Sequence, residues 1–306
     1  MTDYNRPLVS VILPAYNAEK YIKESIESVI YQTLKSVEVI CIDDASTDNT
    51  LSIMESICDS RIKIVRNAEN LGLIKTRNLG YSLATGSYIA NMDADDICNE
   101  FRLAKQLDFL LKNPEVDIVG CSINIISENG KITGKWSPPT ADSQIKAALI
   151  FEAALANPTV MMRQSVLKNN TKGAQLLSDG FTSVEDYESY SRLALEGFVF
   201  ANLKDVLLDY RVVSTGMTKT YEDKAKFRDS VHNNVYRRNI DKLSAYKLDI
   251  GDVHRHLVTG NVLTIGQLER LSNYLSSLER SLIIDNKCLK KDFKQKLFLL
   301  WAYSCL

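Results

Sequence analysis

Apolar runs alternate with amphipathic segments along the first 92 residues. The runs are rich in apolar and β-branched residues, as expected for strands buried in a sheet, and they lie at 8–13, 37–42, 61–66 and 87–92. Between the first two runs, apolar residues follow helical spacing at Ile22, Ile26, Val29 and Ile30. Strands and helices that alternate with short connections predict βαβ units, and therefore a parallel sheet.

Residues that favour turns and caps mark the boundaries of these elements. Pro14 is expected to end the first strand. Thr47 or Asp48 can cap a helix over 50–58, and Gly86 is expected to end a helix over 74–84.

The later part of the chain mixes helices with shorter strands. Helices are predicted at 101–113, near 143–153 and at 183–197. A hairpin is predicted around Asn129-Gly130, and further strands at 158–163, in VFANL and in VLLDYRVV. From about residue 219 the strand patterns stop. The sequence therefore predicts one α/β domain over 1–218 and a helical C-terminal extension over 219–306.

Polar clusters follow the predicted strands at their C-terminal ends. Tyr16–Asn17 follow the first strand, Asp43–Asp44 the second and Asp93–Asp96 the fourth. Ligands of open parallel sheets bind in the crevice at the carboxyl ends of the strands. The three clusters are therefore expected to meet in one crevice.

Composition narrows the class of protein. Of 306 residues, 45% are hydrophobic and 25% are charged, as in an ordinary globular protein. The net charge of −1 gives no indication of nucleic-acid binding. The six cysteines show no C-x-x-C pair, and the N-terminal segment does not resemble a signal peptide, so the predicted location is cytoplasmic.

The segment NMDADDI places three carboxylates within four positions. Asp93, Asp95 and Asp96 repel one another at the end of a buried strand, so they must be solvated, partly protonated or paired with a cation. A divalent cation shared with phosphate oxygens would supply the opposite charge. The alternative is a solvated turn in which the aspartates act as caps.

Six segments, in order, resemble the family 2 glycosyltransferases. They are VSVILPAYNAEKYIKESIESVIYQT, DDASTDNT, NLGLIKTRNLG, GSYIANMDADD, NPTVMMR and VEDYESYSRL, and they span about residues 8–213. The resemblance implies a GT-A (Rossmann-like) fold. It also implies an inverting, metal-dependent glycosyltransferase of the hexosyltransferase type. The implied donor is a nucleotide-sugar, a UDP-sugar above all, and the acceptor a saccharide or lipid-linked hydroxyl in cell-surface polysaccharide synthesis.

The resemblance also implies roles for single residues. Asp93 would lie near the ribose and the metal, and Asp95 would be the main protein ligand of Mg²⁺ or Mn²⁺ in this DXD motif. Asp44 would accept the imide N–H of uracil, although Asp43–Asp44 can instead cap the next helix. The remaining nucleotide-sugar contacts would come from Pro14, Ala15, Tyr16, Asn17, Arg77, Ala94 and Arg211. For Arg77 the alternative is a surface arginine.

Glu185 and Asp186 open a predicted helix downstream. Inverting transfer needs a base opposite the leaving diphosphate, and the resemblance assigns that role to Asp186. The positive end of the helix is expected to favour the ionised carboxylate. Alternatively, both acids only stabilise the helix N-terminus.

One departure from the family pattern concerns the metal. Many relatives carry Tyr-Arg-x-His after the last strand, whereas Val213 stands here in the histidine position. The tail, with lysines before LFLLWAY, favours peripheral membrane contact or a homo-oligomer through 219–306. Two other functions stay open: a sugar-phosphate nucleotidyltransferase, and a nucleotide-sugar-binding protein without transferase activity.

Overall fold

The computed structural model describes residues 6–149, 153–181 and 184–213. Its strands are β1 (Val9–Ala15), β2 (Val37–Asp43), β3 (Ile62–Arg66), β4 (Tyr88–Asn91), β5 (Ile97–Cys98), β6 (Ile118–Ile126), β7 (Ile132–Trp136), β8 (Met161–Arg163) and β9 (Phe200–Arg211). Its helices are α1 (Ile22–Ile30), α2 (Thr50–Ser56), α3 (Leu73–Leu83), α4 (Arg102–Lys112), α5 (Asp142–Leu149), α6 (Gln164–Asn169) and α7 (Glu185–Leu195), with a 3₁₀ turn at Asn157–Thr159.

A single nine-stranded sheet organises these elements. Its order is β3-β2-β1-β4-β8-β6-β9-β5, with β7 paired to β6. The pairs β3-β2, β2-β1, β1-β4 and β6-β9 are parallel, whereas β8, β5 and β7 run antiparallel to their neighbours. The mixed α/β sheet flanked by helices confirms the predicted fold class.

Both faces of the sheet are covered by helices. Successive strand residues point to opposite sides and so belong to two different cores. Val11 of β1 belongs to the core that includes Ile26 of α1 and Leu107 of α4. Ile12 belongs to the other core, with Ile74 of α3 and Leu193 of α7. The continuous apolar runs of the sequence reflect this double burial.

Two predicted strand boundaries were wrong. Pro14 does not end the first strand, because it pairs with Ile42 of β2. Proline has no N–H to donate, but at this position the N–H would face the side of β4, and β4 already ends opposite Ile12. VFANL and VLLDYRVV form one strand, β9, whose pairing with β6 shifts register after Cys121. The polar residues between the two segments, which resemble a break in the sequence, lie at this register shift.

Other elements were confirmed, missed or lie outside the described residues. The hairpin of β6 and β7 is confirmed, whereas β5 and α6 are too short to carry a periodic signal. None of the helices in the described part of the chain has the length and apolarity needed to cross a membrane. The predicted boundary near 218 and the extension over 219–306 lie outside the described residues and stay predictions.

Candidate active site

The polar clusters of the sequence meet at the carboxyl edge of the sheet. Ala15, the last residue of β1, pairs with Asp43 of β2, and Asp43 pairs with Arg66 of β3. On the other side of β1, Ile12 pairs with Asn91, the last residue of β4. The loops that carry Tyr16, Asp44 and Asp93 therefore leave the sheet side by side.

The loops after β1 and β2 hold each other through Asn17. Its N–H donates to Ser46 Oγ at 3.0 Å, and its Oδ1 accepts the Thr47 N–H at 2.9 Å. Asn17 has φ 49° and Ala45 has φ 58°, a conformation that non-glycine residues adopt mainly at turns and functional sites. Tyr16 precedes this contact with 49% of its surface exposed, so its ring is open to a planar ligand.

Asp44 lies buried beneath the loop that follows β3. Its Oδ1 accepts Asn67 Nδ2 at 2.7 Å and the Leu71 N–H at 2.9 Å, while its Oδ2 accepts the Gly72 N–H at 2.9 Å. This carboxylate does not cap α2, because Asp48 accepts the N–H of Thr50 at the start of that helix. Asp44 therefore fixes the shape of the loop that leads into α3.

Arg77 of α3 forms an ion pair with Asp93. Arg77 Nη2 donates to Asp93 Oδ1, and the arginine side chain has no exposed surface, whereas 28% of the aspartate side chain is exposed. Arg77 is thus not a surface arginine. Its Nε and Nη1 are buried and find no hydrogen-bond acceptor among the described residues. Buried donors of this kind are costly, and an acceptor on a ligand would satisfy them.

The carboxyls of Asp95 and Asp96 are destabilised as anions. Burial, and then the nearby charge of Asp93, raise the pKa of Asp95 to about 6. Burial, and then the charges of Asp93 and Asp95, raise the pKa of Asp96 well above its usual range. Asp96 Oδ1 accepts the backbone N–H of Arg211 at 2.8 Å, so this carboxyl anchors the turn to β9. Asp95 is the more accessible of the two.

Arg211 makes several contacts within the protein. Its Nε donates to Asp95 O, Nη1 to Glu128 O and Nη2 to Glu24 Oε2, at 2.8, 2.8 and 2.7 Å. The guanidinium also lies over the ring of Tyr21, 4.7 Å from its centroid. The geometry thus fits a residue that holds the aspartate turn. The predicted contact of Arg211 with the donor stays a prediction.

The donor atoms at this turn fit a hard divalent cation. Carboxylate oxygens are the ligands that Mg²⁺ and Mn²⁺ prefer, and no side chain of the described chain hydrogen-bonds to the Asp95 carboxylate. The described residues contain no group of three or more acidic, histidine or cysteine side chains arranged to hold an ion alone. An ion at Asp95 and Asp93 would therefore take further ligands from a diphosphate or from water. Ala94, between them, packs against the core.

Asp186 lies in the first turn of α7. Its Oδ1 accepts the Tyr187 N–H at 2.7 Å. The helix end favours the ionised carboxylate, as expected, through the Tyr187 N–H, but it does not decide the direction of the pKa shift. Burial raises the pKa of Asp186 above its usual value, Asp93 raises it further, and the Tyr187 N–H and the charge of Arg77 offset only part of the rise. The charges of Arg77 and Asp93 therefore act on Asp186 across the same site.

A buried polar network below these residues was missed from the sequence. It consists of Tyr81, Asn91, Asn157 and Tyr190. Two of its members lie one helical turn after functional candidates, Tyr81 after Arg77 and Tyr190 after Asp186. This four-residue spacing is a signal that the sequence contains, but tyrosines at helical spacing are more often ordinary core residues.

Known proteins resemble the chain in sequence. A model of glycosyl transferase family 2 matches residues 10–170. An uncharacterized glycosyltransferase of Haemophilus influenzae is 33% identical over 284 residues, which cover 90% of this chain and 85% of the relative. The Escherichia coli UDP-Glc:alpha-D-GlcNAc-diphosphoundecaprenol beta-1,3-glucosyltransferase WfaP is 32% identical over 205 residues, which cover 67% of this chain and 77% of WfaP.

Solved structures share the fold at low sequence identity. Staphylococcus aureus TarS in complex with UDP-GlcNAc has a TM-score of 0.59 and 18% identity, covering 97% of this chain and 88% of that one. The mannosyltransferase PcManGT of Pyrobaculum calidifontis, in complex with GDP-Man and Mn²⁺, has a TM-score of 0.54 and 16% identity, covering 97% and 86%. With the sheet order, the clustered loop ends and the family match, these similarities show that the chain is a glycosyltransferase of family 2 with the GT-A fold.

Proposed function

We propose that the enzyme transfers a sugar, with inversion, from a UDP-sugar to a hydroxyl of a lipid-linked saccharide, using Mg²⁺ or Mn²⁺. The observation that carries the proposal is the buried Arg77–Asp93 pair, whose charges both act on Asp186. A binding group, the DXD turn and a candidate base thus share one crevice. The name of WfaP gives UDP-glucose as its donor and a lipid-linked diphosphate as its acceptor, which supports this choice of substrates.

The uridine is proposed to lie over the ends of β1 and β2. Tyr16 offers an exposed ring there, and Pro14, Ala15 and Asn17 shape the loop beside it. The imide N–H of uracil needs an acceptor, and the Asp44 carboxylate retains lone-pair capacity beyond its three hydrogen bonds. A planar base between these groups fits the positions that the loops fix.

The diphosphate is proposed to lie between α3 and the DXD turn. Nε and Nη1 of Arg77 find no acceptor among the described residues, so Arg77 can donate to an oxygen of the donor. When bound, a divalent ion held by Asp95 and Asp93 would neutralise charge on the departing diphosphate. Asp96 and Arg211 hold the turn in place beneath these ligands.

Asp186 is proposed as the base that takes the proton from the acceptor hydroxyl. That oxygen then attacks the anomeric carbon as the bond to the diphosphate breaks, and the proton stays on the carboxylate. A raised pKa suits this role, because a base is most effective when its pKa approaches the working pH. The hydrogen bond from Tyr187 fixes one carboxylate oxygen and leaves the other for the acceptor.

A lipid-linked acceptor would bring the enzyme to the cytoplasmic face of a membrane. Residues 219–306 are the segment proposed to make that contact, or to pair two copies of the chain. Lysines beside LFLLWAY combine attraction to anionic lipid with an apolar surface.

The direct test uses Asp186→Asn, with Asp108→Asn, an exposed helix position, as the control. UDP release from UDP-glucose, UDP-GlcNAc and UDP-galactose would be measured with Mn²⁺ and a lipid-linked GlcNAc acceptor. Asp186→Asn should lose about 100-fold or more in turnover while still binding UDP. Wild-type turnover in this variant would refute the base assignment.

Two results would replace the proposal with its alternatives. UDP binding without UDP release by the wild-type enzyme, over the whole panel, would favour a binding protein without transferase activity. Pyrophosphate released from a nucleoside triphosphate and a sugar phosphate would favour a nucleotidyltransferase.

A further inference from the structure

Four buried polar side chains, one each from α3, β4, the 3₁₀ turn and α7, form a network beneath the site. The Tyr81 hydroxyl donates to Asn91 Oδ1 at 3.0 Å. Asn91 Nδ2 donates to Asn157 Oδ1 at 2.9 Å and to the Tyr190 hydroxyl at 3.4 Å. The Tyr190 hydroxyl donates to Asn157 Oδ1 at 2.7 Å. All four residues are buried, so these hydrogen bonds form away from competing water.

The two tyrosines repeat one spacing on two helices. Arg77 and Tyr81 lie four residues apart on α3, and Asp186 and Tyr190 lie four residues apart on α7. Side chains at this spacing share one face of a helix. Each helix therefore carries a functional candidate at the crevice and, one turn deeper, a hydroxyl that reaches the same asparagine.

That asparagine is the fixed point of the arrangement. Asn91 ends β4, two residues before Asp93. Its N–H donates to Val160 O at 2.8 Å, and its backbone oxygen accepts Nη2 of the buried Arg102 at 2.8 Å. The end of β4 is therefore held by its backbone as well as by its side chain.

We propose that Tyr190 and Tyr81 are positioning residues that align the two sides of the site with the end of β4. Tyr190 sets the position of α7, and so of Asp186. Tyr81 sets the position of α3, and so of Arg77. The inference rests on the proposed function, because it takes Asp186 as the base and Arg77 as a donor-binding group.

The hydrogen bonds predict different effects for the two hydroxyls. Removing the Tyr190 hydroxyl removes the hydrogen bonds of α7 to Asn157 and Asn91 and leaves the Tyr81–Asn91 and Asn91–Asn157 bonds in place. Removing the Tyr81 hydroxyl removes the hydrogen bond of α3 to Asn91 and leaves α7 tied to Asn157. Burial raises the pKa of Tyr81 to about 12 and that of Tyr190 well above its usual range, so both stay protonated donors in the working enzyme.

The test compares Tyr190→Phe and Tyr81→Phe, with Tyr31→Phe, an exposed tyrosine, as the matched control. UDP release from the most active UDP-sugar of the panel gives kcat and KM, and calorimetry with UDP and Mn²⁺ gives Kd. Tyr190→Phe should lower kcat about tenfold and change the Kd for UDP less than twofold. Tyr81→Phe should weaken UDP binding several-fold with the smaller change in kcat.

A second variant guards against a merely structural effect. Asn157→Ala removes the acceptor of the Tyr190 hydroxyl. If both substitutions break the same hydrogen bond, the double variant Tyr190→Phe with Asn157→Ala should have a kcat no lower than that of the less active single variant. Melting temperatures with and without UDP identify any variant that unfolds. Independent, multiplicative losses in the double variant would overturn the proposal.

The outcomes separate this inference from the proposed function. If Asp186→Asn is inactive but Tyr190→Phe keeps the wild-type kcat, or if both tyrosine variants change kcat and Kd alike, the positioning role is wrong and the base assignment stands. If Asp186→Asn keeps the wild-type turnover, the base assignment fails first, and the positioning role fails with it.

Discussion

Arg77 and Asp93 form an ion pair in which the arginine is buried and the aspartate is partly open to solvent. A buried guanidinium with one acceptor among the described side chains is expensive, since its other donors lose water without replacement. An acceptor on a bound ligand would complete the hydrogen bonds of this guanidinium. The pair also explains how α3 takes part in the site, although α3 lies some distance from Asp93 along the chain.

Arg77→Lys should weaken UDP binding about tenfold or more. Lysine keeps a positive charge near Asp93 but cannot present the planar, forked donors of arginine. Titration calorimetry with UDP and Mn²⁺ measures the effect. Arg6→Lys is the control, because Arg6 precedes β1 and hydrogen-bonds to Gln164 at the opposite edge of the sheet. Equal Kd values for Arg77→Lys and the wild-type enzyme would show that the guanidinium does not contact the nucleotide.

Asp95→Asn should have opposite effects on the free and the metal-bound protein. The substitution removes one of the clustered, poorly solvated carboxylates, so the free protein should gain about 1 kcal/mol in its free energy of unfolding. The same change removes the main proposed ligand, so the rise in melting temperature with Mn²⁺ should disappear. Differential scanning calorimetry with EDTA and with Mn²⁺ measures both.

The comparison for this prediction is Asp205→Asn, an exposed aspartate paired with Lys105. It should keep the Mn²⁺ response of the wild-type protein. An unchanged Mn²⁺ response in Asp95→Asn would place the ion elsewhere or exclude it from this turn.

The first strands and the edge where the site forms were predictable, because their signals are local. Val11 and Ile12 lie in a run that is buried on both faces and is apolar except for Ser10. Aspartates that directly follow a strand indicate a crevice at that strand end, even when the residues that they contact are not known. The ordered motifs of the family then supplied roles that single residues did not reveal.

The buried hydrogen bonds beneath the site were not predictable, because they join residues far apart in the sequence. Tyr190 meets Asn91 across 99 positions of sequence, and no local pattern encodes that contact. Asp186 shows the same limit, since its pKa depends on burial by the assembled site and not only on its place in α7. Helix position was visible in the sequence, whereas the surroundings of the carboxyl were not.

Glu38→Gln should destabilise the protein in a pH-dependent way. Burial alone would raise the pKa of Glu38, but hydrogen bonds from Lys63, Ser10 and Thr85 lower it to about 2. Because the folded pKa lies below the unfolded value, ionised Glu38 stabilises the fold fully above about pH 4.5, and this contribution is lost as the pH falls toward 2.

Urea unfolding near neutral pH should therefore show a loss of about 2–3 kcal/mol for Glu38→Gln relative to the wild-type protein. The difference should shrink at about pH 3. Glu55→Gln, at an exposed position of α2, should show no such difference. A loss that stays constant with pH would mean that packing, and not the charge, is responsible.

Gly86→Ala should destabilise the protein by about 2 kcal/mol or more. The expectation that Gly86 ends α3 was wrong, since that helix ends at Leu83. A Cβ at Gly86 would lie 2.7 Å from Ser10 N and 3.0 Å from Tyr88 O, which are backbone atoms that cannot move aside. Gly134→Ala is the matched control, because its nearest neighbour would be 3.6 Å away. Equal melting temperatures for the two variants would contradict the close approach.

The pH dependence of turnover should reveal the burial of Asp186. A base works only when it is deprotonated, so kcat should rise with pH through the pKa of the bound enzyme. Burial raises that pKa, so the acidic limb should lie above about 4, the ordinary value for aspartate. The carboxyl of Asp95 also has a raised pKa, and the Mn²⁺ concentration distinguishes its limb from that of Asp186. A limb that belongs to metal ligands moves to lower pH as Mn²⁺ increases, because the ion competes with protons. A limb that belongs to Asp186 stays in place at saturating Mn²⁺.

Stopped assays of UDP release across pH, at two saturating Mn²⁺ concentrations, make the comparison. An acidic limb at or below the ordinary aspartate value would show that the base is solvated in the working enzyme or is a different group.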